Sequence, residues 1–152
     1  MNKQLLILGI AILLLAAVLS GCITSIDDNN SYQKSIILDD DLFQNASRDP
    51  YEIINIGLEV DILEINVSYS GGCEEHEFSL FGSSSFKESS PVQMEVVLSH
   101  NDNNDPCDGI CAEELAFDLS PLKEKWQEAY QQNSGTIIIW LEGVEEPISY
   151  EF

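Results

Sequence analysis

Apolar and polar residues alternate with a period of two in several segments between residues 51 and 152. The clearest segment runs from Leu63 to Tyr69, where apolar residues alternate with glutamate, asparagine and serine. Val92 to Leu98 repeats the pattern. Successive side chains of a strand point to opposite faces, so this alternation is typical of a strand with one buried face. Both segments therefore predict strands that line a hydrophobic core.

Shorter segments add further predicted strands, many of them separated by turn signals about 8–12 residues apart. They are 51–56, 77–81, 114–119, 136–141 and 148–152, with a shorter candidate at 35–38. The apolar run 136–141 is expected to be central, covered on both faces. The paired glycines after Ser70 predict a turn, and a hairpin between 63–69 and 75–81. We expect a mainly β protein, an antiparallel β-sandwich of about seven short strands.

One helix is predicted to interrupt the strands over about residues 120–133. Ser120 is a good N-cap residue, and Pro121 suits the first helical position because its missing N–H would have no partner there. Leu122, Trp126 and Tyr130 recur at helical spacing, and an Asn-Ser-Gly sequence follows the helix. The last turn is expected to end at that sequence.

The N-terminus has the pattern of an export signal. One cation, Lys3, precedes an apolar run from Leu5 to Leu19, which is shorter than the roughly 20 residues of a bilayer span. The run ends in Leu-Ser-Gly-Cys, which resembles the lipobox of prokaryotic lipoproteins. The resemblance implies cleavage after Gly21 and a lipid, such as a palmitate-containing diacylglyceryl group, on Cys22. Expected boundaries are a signal peptide at 1–21, an acylated polar tether at 22–50 and the β-sandwich domain at 51–152.

The charge of the chain narrows its classes of partner. The sequence has 27 acidic and 6 basic residues, a net charge of −21. Removing residues 1–21, which hold one lysine and no acid, leaves 5 basic residues and a charge of −22. Nucleic acid needs Lys and Arg to replace the counterions around its phosphates, so no nucleic-acid partner is expected. Docking on anionic lipid by charge alone is also excluded, whereas a solubilising surface or a cation-rich partner fits.

The cysteines indicate a disulfide. Apart from Cys22, the chain has Cys73, Cys107 and Cys111, and an exported protein experiences oxidising conditions. Pairing of Cys73 with Cys107 is preferred, and the loop that it closes would stabilise the fold by about 3–4 kcal/mol. Cys73 with Cys111 is nearly as good a pair on sequence grounds. The third cysteine would be inert or would form an intermolecular bond.

A metal site is the alternative for the same segment. Cys73 and His76 have a spacing found in zinc sites, and His100 and Cys107 could complete a set of four ligands for zinc or copper. The loose spacing of the second pair and the oxidising surroundings favour the disulfide. If the bridge forms, the two histidines are expected to lie close together, where they could respond to mild acid.

Other chemistry receives little support from the sequence. The Asn- and Asp-rich loop 101–109 has a composition that suits calcium, but it fails the EF-hand register because Pro106 and Cys107 occupy key positions. A solvated turn is the preferred interpretation. The serines at 83–85 lack the context of a hydrolase nucleophile, and a thiol–histidine pair would be quenched by oxidation. We expect that the protein is not an enzyme.

The segment from Gly71 to Leu122 resembles a class of small, uncharacterised prokaryotic lipoproteins. The shared features are Gly-Gly-Cys-x-x-His-x-Phe at 71–78, a strand ending at His100, the loop cysteine Cys107 and Phe-Asp-Leu-x-Pro-Leu at 117–122. This resemblance implies no established activity. The expected protein is therefore an exported, lipid-anchored component of the cell envelope, facing outside the cytoplasm. It would be a binding or structural module, with metal binding as the alternative.

Overall fold

Two β-sheets form the body of the protein. The computed structural model describes residues 33–152, and the predicted signal peptide and the predicted lipidation site, Cys22, lie outside these residues. The strands are β1 (Lys34–Ser35), β2 (Ile37–Leu38), β3 (Glu52–Glu59), β4 (Ile62–Gly71), β5 (Glu77–Gly82), β6 (Val92–Asn101), β7 (Gly109–Asp118), β8 (Thr136–Leu141) and β9 (Ile148–Glu151). The helices are α1 (Asp40–Gln44) and α2 (Ser120–Tyr130).

The sheets are mixed rather than wholly antiparallel. One sheet has the order β1-β7-β4-β3 and the other β2-β5-β6-β8-β9. β1 with β7, β2 with β5 and β6 with β8 are parallel, and the other pairs are antiparallel. The prediction of a β-sandwich is confirmed, but the prediction of antiparallel sheets is only partly right. The crossover through α2 returns the chain to the end of the second sheet where β6 begins, so β8 runs parallel to β6.

The predicted hairpin between 63–69 and 75–81 is wrong. β4 pairs with β3 and β7 on its two edges, and β5 pairs with β6 in the other sheet. The tight turn lies instead before β4, where Val60 has a positive φ of 55°. Both edges of β4 are thereby occupied, and the segment after Gly71 crosses from one sheet to the other.

The alternating residues form the core, as predicted. Leu63, Ile65 and Val67 of β4 are buried, and so are the apolar positions of β6 from Val92 to Leu98. Ile137 and Ile139 of β8 complete the same buried cluster, which also includes Trp126 of α2. Burying a large aliphatic side chain contributes roughly 1.5–3 kcal/mol, so these faces hold the two sheets together.

The segment that contains β1 and β2 closes one side of the sandwich, because it pairs with both sheets. β1 pairs with β7 of one sheet and β2 pairs with β5 of the other. Ile36, between β1 and β2, is only 2% exposed and belongs to the core. Residues 34–44 are thus part of the folded body, although the sequence placed them in the tether. Asp39 begins α1 as its N-cap, where its side chain accepts the N–H of Leu42 at 2.9 Å.

Helix α2 begins at Ser120, so its N-cap is Leu119 rather than the predicted Ser120, and the helix ends earlier than predicted. Asp118 Oδ1 accepts the N–H of Ser120 at 2.8 Å, and Gln131 ends the helix in the left-handed conformation with φ 54°. Trp126 packs so closely on Gly135 that a Cβ there would lie 2.3 Å from the indole ring. A side chain at residue 135 would therefore require the indole ring to move. Among the described residues, no helix has the length and apolar character needed to cross a bilayer.

Candidate functional site

A disulfide joins two loops at one end of the sandwich. Cys73, in the segment after β4, is bonded to Cys107, in the loop between β6 and β7, with their Cα atoms 5.8 Å apart. The structure therefore supports the preferred pairing over Cys73 with Cys111. Cys111 lies on β7 opposite Tyr69 and is 3% exposed. The bridge closes a loop with a sequence separation of 34, which corresponds to about 4 kcal/mol in the chain-entropy description.

The carboxylate of Asp105 ties the same two loops together. Its Oδ2 accepts the backbone N–H groups of Gly72, Cys73 and Glu74 at 2.8, 2.9 and 3.0 Å. Its Oδ1 accepts the N–H of Cys107 at 2.8 Å. Consecutive N–H groups that converge in this way form an anion-binding nest. These hydrogen bonds, that of Glu74 first, hold the pKa of Asp105 well below its ordinary value of 3.8.

The two histidines extend this network into the core. His76 Nε2 lies 3.2 Å from Asp105 Oδ2, and His76 Nδ1 lies 2.8 Å from His100 Nε2. His100 Nδ1 lies 3.0 Å from the carbonyl oxygen of Asp49. The carbonyl group of Asp49 is held there because residues 47–49 run beside the end of β6. The backbone N–H of His100 donates to the carbonyl oxygen of Ser47, and the backbone N–H of Asp49 donates to the carbonyl oxygen of His100. The predicted proximity of the histidines is thus confirmed.

The acceptors at both ends of this chain fix two of its donors. A carbonyl oxygen and a carboxylate oxygen accept hydrogen bonds, so His100 Nδ1 donates to Asp49 and His76 Nε2 donates to Asp105. Between the rings, His76 Nδ1 and His100 Nε2 face each other at 2.8 Å.

Aromatic rings enclose the histidines. Tyr69 stacks on His76 with ring centroids 4.5 Å apart, and Phe78 stacks on His100 at 4.3 Å. Tyr51 meets His100 edge-on and donates its hydroxyl hydrogen to the carbonyl of Leu98. Burial, with Glu113 nearby, raises the pKa of Tyr69 to about 12. Since the side chains of His76 and Asp105 are each 1% exposed, solvent has little access to the network.

The predicted metal ligands have other partners in this structure. The sulfurs of Cys73 and Cys107 form a disulfide with each other. The ring nitrogens of His100 are hydrogen-bonded to His76 Nδ1 and to the carbonyl oxygen of Asp49. Among residues 33–152, one cluster of three potential metal ligands is found. It consists of the two bridged cysteines and Asp105, whose potential ligand atoms lie within 4.8 Å of one another. Free thiolates are required for zinc or copper at this position. Reduction would have to precede any metal binding here.

Side chains of the Asn- and Asp-rich loop hydrogen-bond within the loop and to the segment before β5. Asp102 Oδ1 accepts the N–H of Asn104, and Asn103 Nδ2 donates to the carbonyl oxygen of Glu75. Asn103 and Asn104 have positive φ values of 52° and 58°, which asparagine tolerates better than most residues. The loop thus has the turn geometry that the sequence favoured.

The sequence did not identify the two acceptors of the network, Asp49 and Asp105. Acidic residues are so numerous that no single one stands out. One signal was present: Asp105 precedes Pro106 and Cys107, and an Asp two residues before a backbone N–H readily accepts it. A second carboxylate, Asp61, accepts the hydroxyl hydrogen of Tyr150 at 2.6 Å and pairs with Lys123 near the opposite end of the sandwich.

Solved structures from Bacteroides and Parabacteroides species match this chain. A NigD-like immunity protein from Bacteroides caccae matches with a TM-score of 0.59 and 15% identity, over 81% of this chain and 65% of that chain. A protein from Bacteroides fragilis named "Putative lipoprotein" matches with a TM-score of 0.48 and 9% identity, over 79% and 68%. A protein from Parabacteroides distasonis named "Putative TOXIN related protein" has a TM-score of 0.45 and 21% identity, over 79% and 60%.

The match to the NigD-like protein establishes likeness of fold alone. This chain spans less than two thirds of the length of the NigD-like protein. No protein-family model matches the sequence, and no curated protein matches it. The chain therefore shares its β-sandwich with a NigD-like immunity protein, and this likeness of fold assigns it no role.

Proposed function

We propose that this chain is an exported, lipid-anchored protein of the cell envelope and that its sandwich is a binding or structural module. The Cys73–Cys107 disulfide is the observation that carries the proposal, because such bridges persist outside the reducing cytosol. The Leu-Ser-Gly-Cys sequence at 19–22 supports a lipid on Cys22. A lipid anchor would explain how so acidic a protein stays at an anionic membrane surface.

The internal use of its reactive groups supports a non-catalytic role. The cysteines of the bridge are oxidised, and both histidines are buried with every ring nitrogen partnered. A general base must reach the proton that it removes, either directly or through one water. Neither ring can do so without opening of the aromatic cluster around it.

The charge of the surface supports a cation-rich protein as the partner. Three of the described cations, Arg48, Lys87 and Lys123, already pair with carboxylates, and Lys34 donates to the carbonyl oxygen of Phe78. Most acidic side chains therefore have no cationic partner among the described residues. The word immunity describes the Bacteroides caccae protein. For this chain, we propose the broader role of recognising a basic protein.

Lipidation is tested by replacing the modified cysteine. We expect the wild-type protein to incorporate labelled palmitate and to sediment with membranes, and Cys22→Ser to do neither. Ser25→Ala, three residues away, is the matched control and should behave as the wild type. Palmitate incorporation that persists in Cys22→Ser would contradict the assignment of the anchor.

The alternative, a metal-binding lipoprotein that uses Cys73, His76, His100 and Cys107, is separated by alkylation of the native protein. With the bridge intact, the peptides that contain Cys73 and Cys107 stay unmodified until a reductant is added. Alkylation of both without reductant, prevented by added zinc, would support metal binding and contradict the bridged module.

A further inference from the structure

We propose that Asp105 is a positioning residue for disulfide formation, which brings Cys73 and Cys107 together before their sulfurs are oxidised. This role goes beyond the proposed function, because it concerns how the bridge forms rather than what the module binds. The contact that carries the inference is one carboxylate bound to both cysteine backbones.

Each carboxylate oxygen of Asp105 accepts hydrogen bonds from a different one of the two loops. Oδ2 accepts the N–H of Cys73 together with those of its neighbours Gly72 and Glu74, and Oδ1 accepts the N–H of Cys107. These backbone contacts need no bond between the sulfurs. They can therefore form in the reduced protein and hold the cysteine Cα atoms near their final separation of 5.8 Å.

The orientation of the carboxylate is fixed from two sides. Pro106 restricts the backbone of Asp105 to extended conformations, and the N–H of Asp105 donates to the carbonyl oxygen of Asp102 at 3.0 Å. On its inner side, His76 contacts Oδ2 and is itself held by His100. A carboxylate that is 1% exposed and held in this way is preorganised to receive the second loop.

Exchange with a small disulfide would take place beside this carboxylate, since one of its oxygens and both sulfurs lie within 4.8 Å of one another. With a glutathione couple, two protein thiols and one oxidised glutathione give the protein disulfide and two reduced glutathiones. The two electrons and two protons pass to the glutathione sulfurs.

Asp105→Asn tests the role because an amide has one oxygen where the carboxylate has two. The variant cannot accept from both loops, and its NH₂ group would face an N–H donor. We expect the equilibrium constant for the Cys73–Cys107 bridge in a glutathione buffer to fall about tenfold or more, the loss of at least one hydrogen bond to a charged acceptor. Mapping of alkylated peptides from the purified full chain gives the bridged fraction.

Two comparisons separate positioning from general stability. Asp102→Asn lies in the same loop, and Asp61→Asn removes a carboxylate near the opposite end of the fold. Both should keep the equilibrium constant within about twofold of the wild type. In concentrated urea, where the nest is absent, Asp105→Asn and wild type should not differ.

Either of two results would overturn the proposal. One is an unchanged constant in folded Asp105→Asn, and the other is an equal fall in Asp102→Asn or in urea. If Asp105→Asn does not fold, Asp105→Glu decides. It keeps both oxygens but displaces them, and we expect an intermediate constant, whereas a constant equal to that of the wild type would count against a positioned carboxylate.

Discussion

A few buried polar side chains in this protein each form several hydrogen bonds. Asp105 accepts four backbone N–H groups, and the two histidines connect it to the carbonyl oxygen of Asp49. Among residues 33–152, no buried side-chain nitrogen or oxygen lacks a hydrogen-bond partner. Buried polar groups cost free energy unless they are paired, so such complete networks stabilise one arrangement of the loops.

Acid should weaken the contribution of Asp105. Its pKa is lower in the folded protein than in the unfolded chain, because the backbone N–H groups stabilise the carboxylate. Stability from such a group is fully present above the unfolded pKa, near 3.8, and is lost as the pH falls toward the folded value. In urea unfolding at a series of pH values, the difference in free energy between wild type and Asp105→Asn should shrink below about pH 4. A difference that grows in acid would contradict this.

His100→Phe should destabilise the protein by about 2–3 kcal/mol. The new ring can keep the stack on Phe78, but it leaves the carbonyl oxygen of Asp49 and Nδ1 of His76 without partners. Urea unfolding measures the change. Tyr130→Phe is the control, because it removes an exposed hydrogen bond to Glu88 and should cost less than about 0.5 kcal/mol.

At the scale of elements, the N-terminal segment decides how the sandwich is closed. β1 and β2 are two residues each, and the chain passes from one sheet to the other between them. Ile36 occupies this crossing and is buried against the core. Two short strands with one buried anchor can stay in place only if that anchor packs well.

Ile36→Ala should therefore destabilise the fold by about 2–4 kcal/mol, by the loss of buried surface and the cavity left behind. The adjacent Ile37→Ala is the matched control, since Ile37 is 46% exposed and should cost less than about 0.5 kcal/mol. Chemical denaturation of both variants makes the comparison. Equal effects would mean that the crossing is not part of the cooperative core.

The sequence predicted the elements with strong periodicity and missed those set by distant partners. Alternation located β4 and β6, and helical spacing located α2. Two-residue strands leave no periodicity to detect, so β1 and β2 could not be separated. Strand pairing was also hidden, because the Gly71–Gly72 pair permits a crossing between sheets as readily as a hairpin. Cysteine and histidine spacing indicated the site, but its carboxylate needed the fold to select it.

For the whole molecule, the acidic excess acts on stability and on recognition together. With a net charge of −21, the acidic side chains of this small protein repel one another. Salt screens this repulsion, with a Debye length of about 10 Å at 0.1 M. Thermal unfolding should therefore shift to higher temperature as sodium chloride is raised from about 10 to 300 mM. Sucrose at matched osmolality should not reproduce the full shift. A melting temperature independent of salt would contradict this account of the charge.

The direction in which the chain enters the fold has a mechanical consequence. β1 and β2 each run parallel to the strand that they join, one in each sheet. A pull from the N-terminal side would therefore load their hydrogen bonds in shear rather than peel them apart singly, with Ile36 resisting withdrawal from between the sheets. If the protein is anchored by a lipid on Cys22, tension on the chain would be shared by both sheets through β1 and β2.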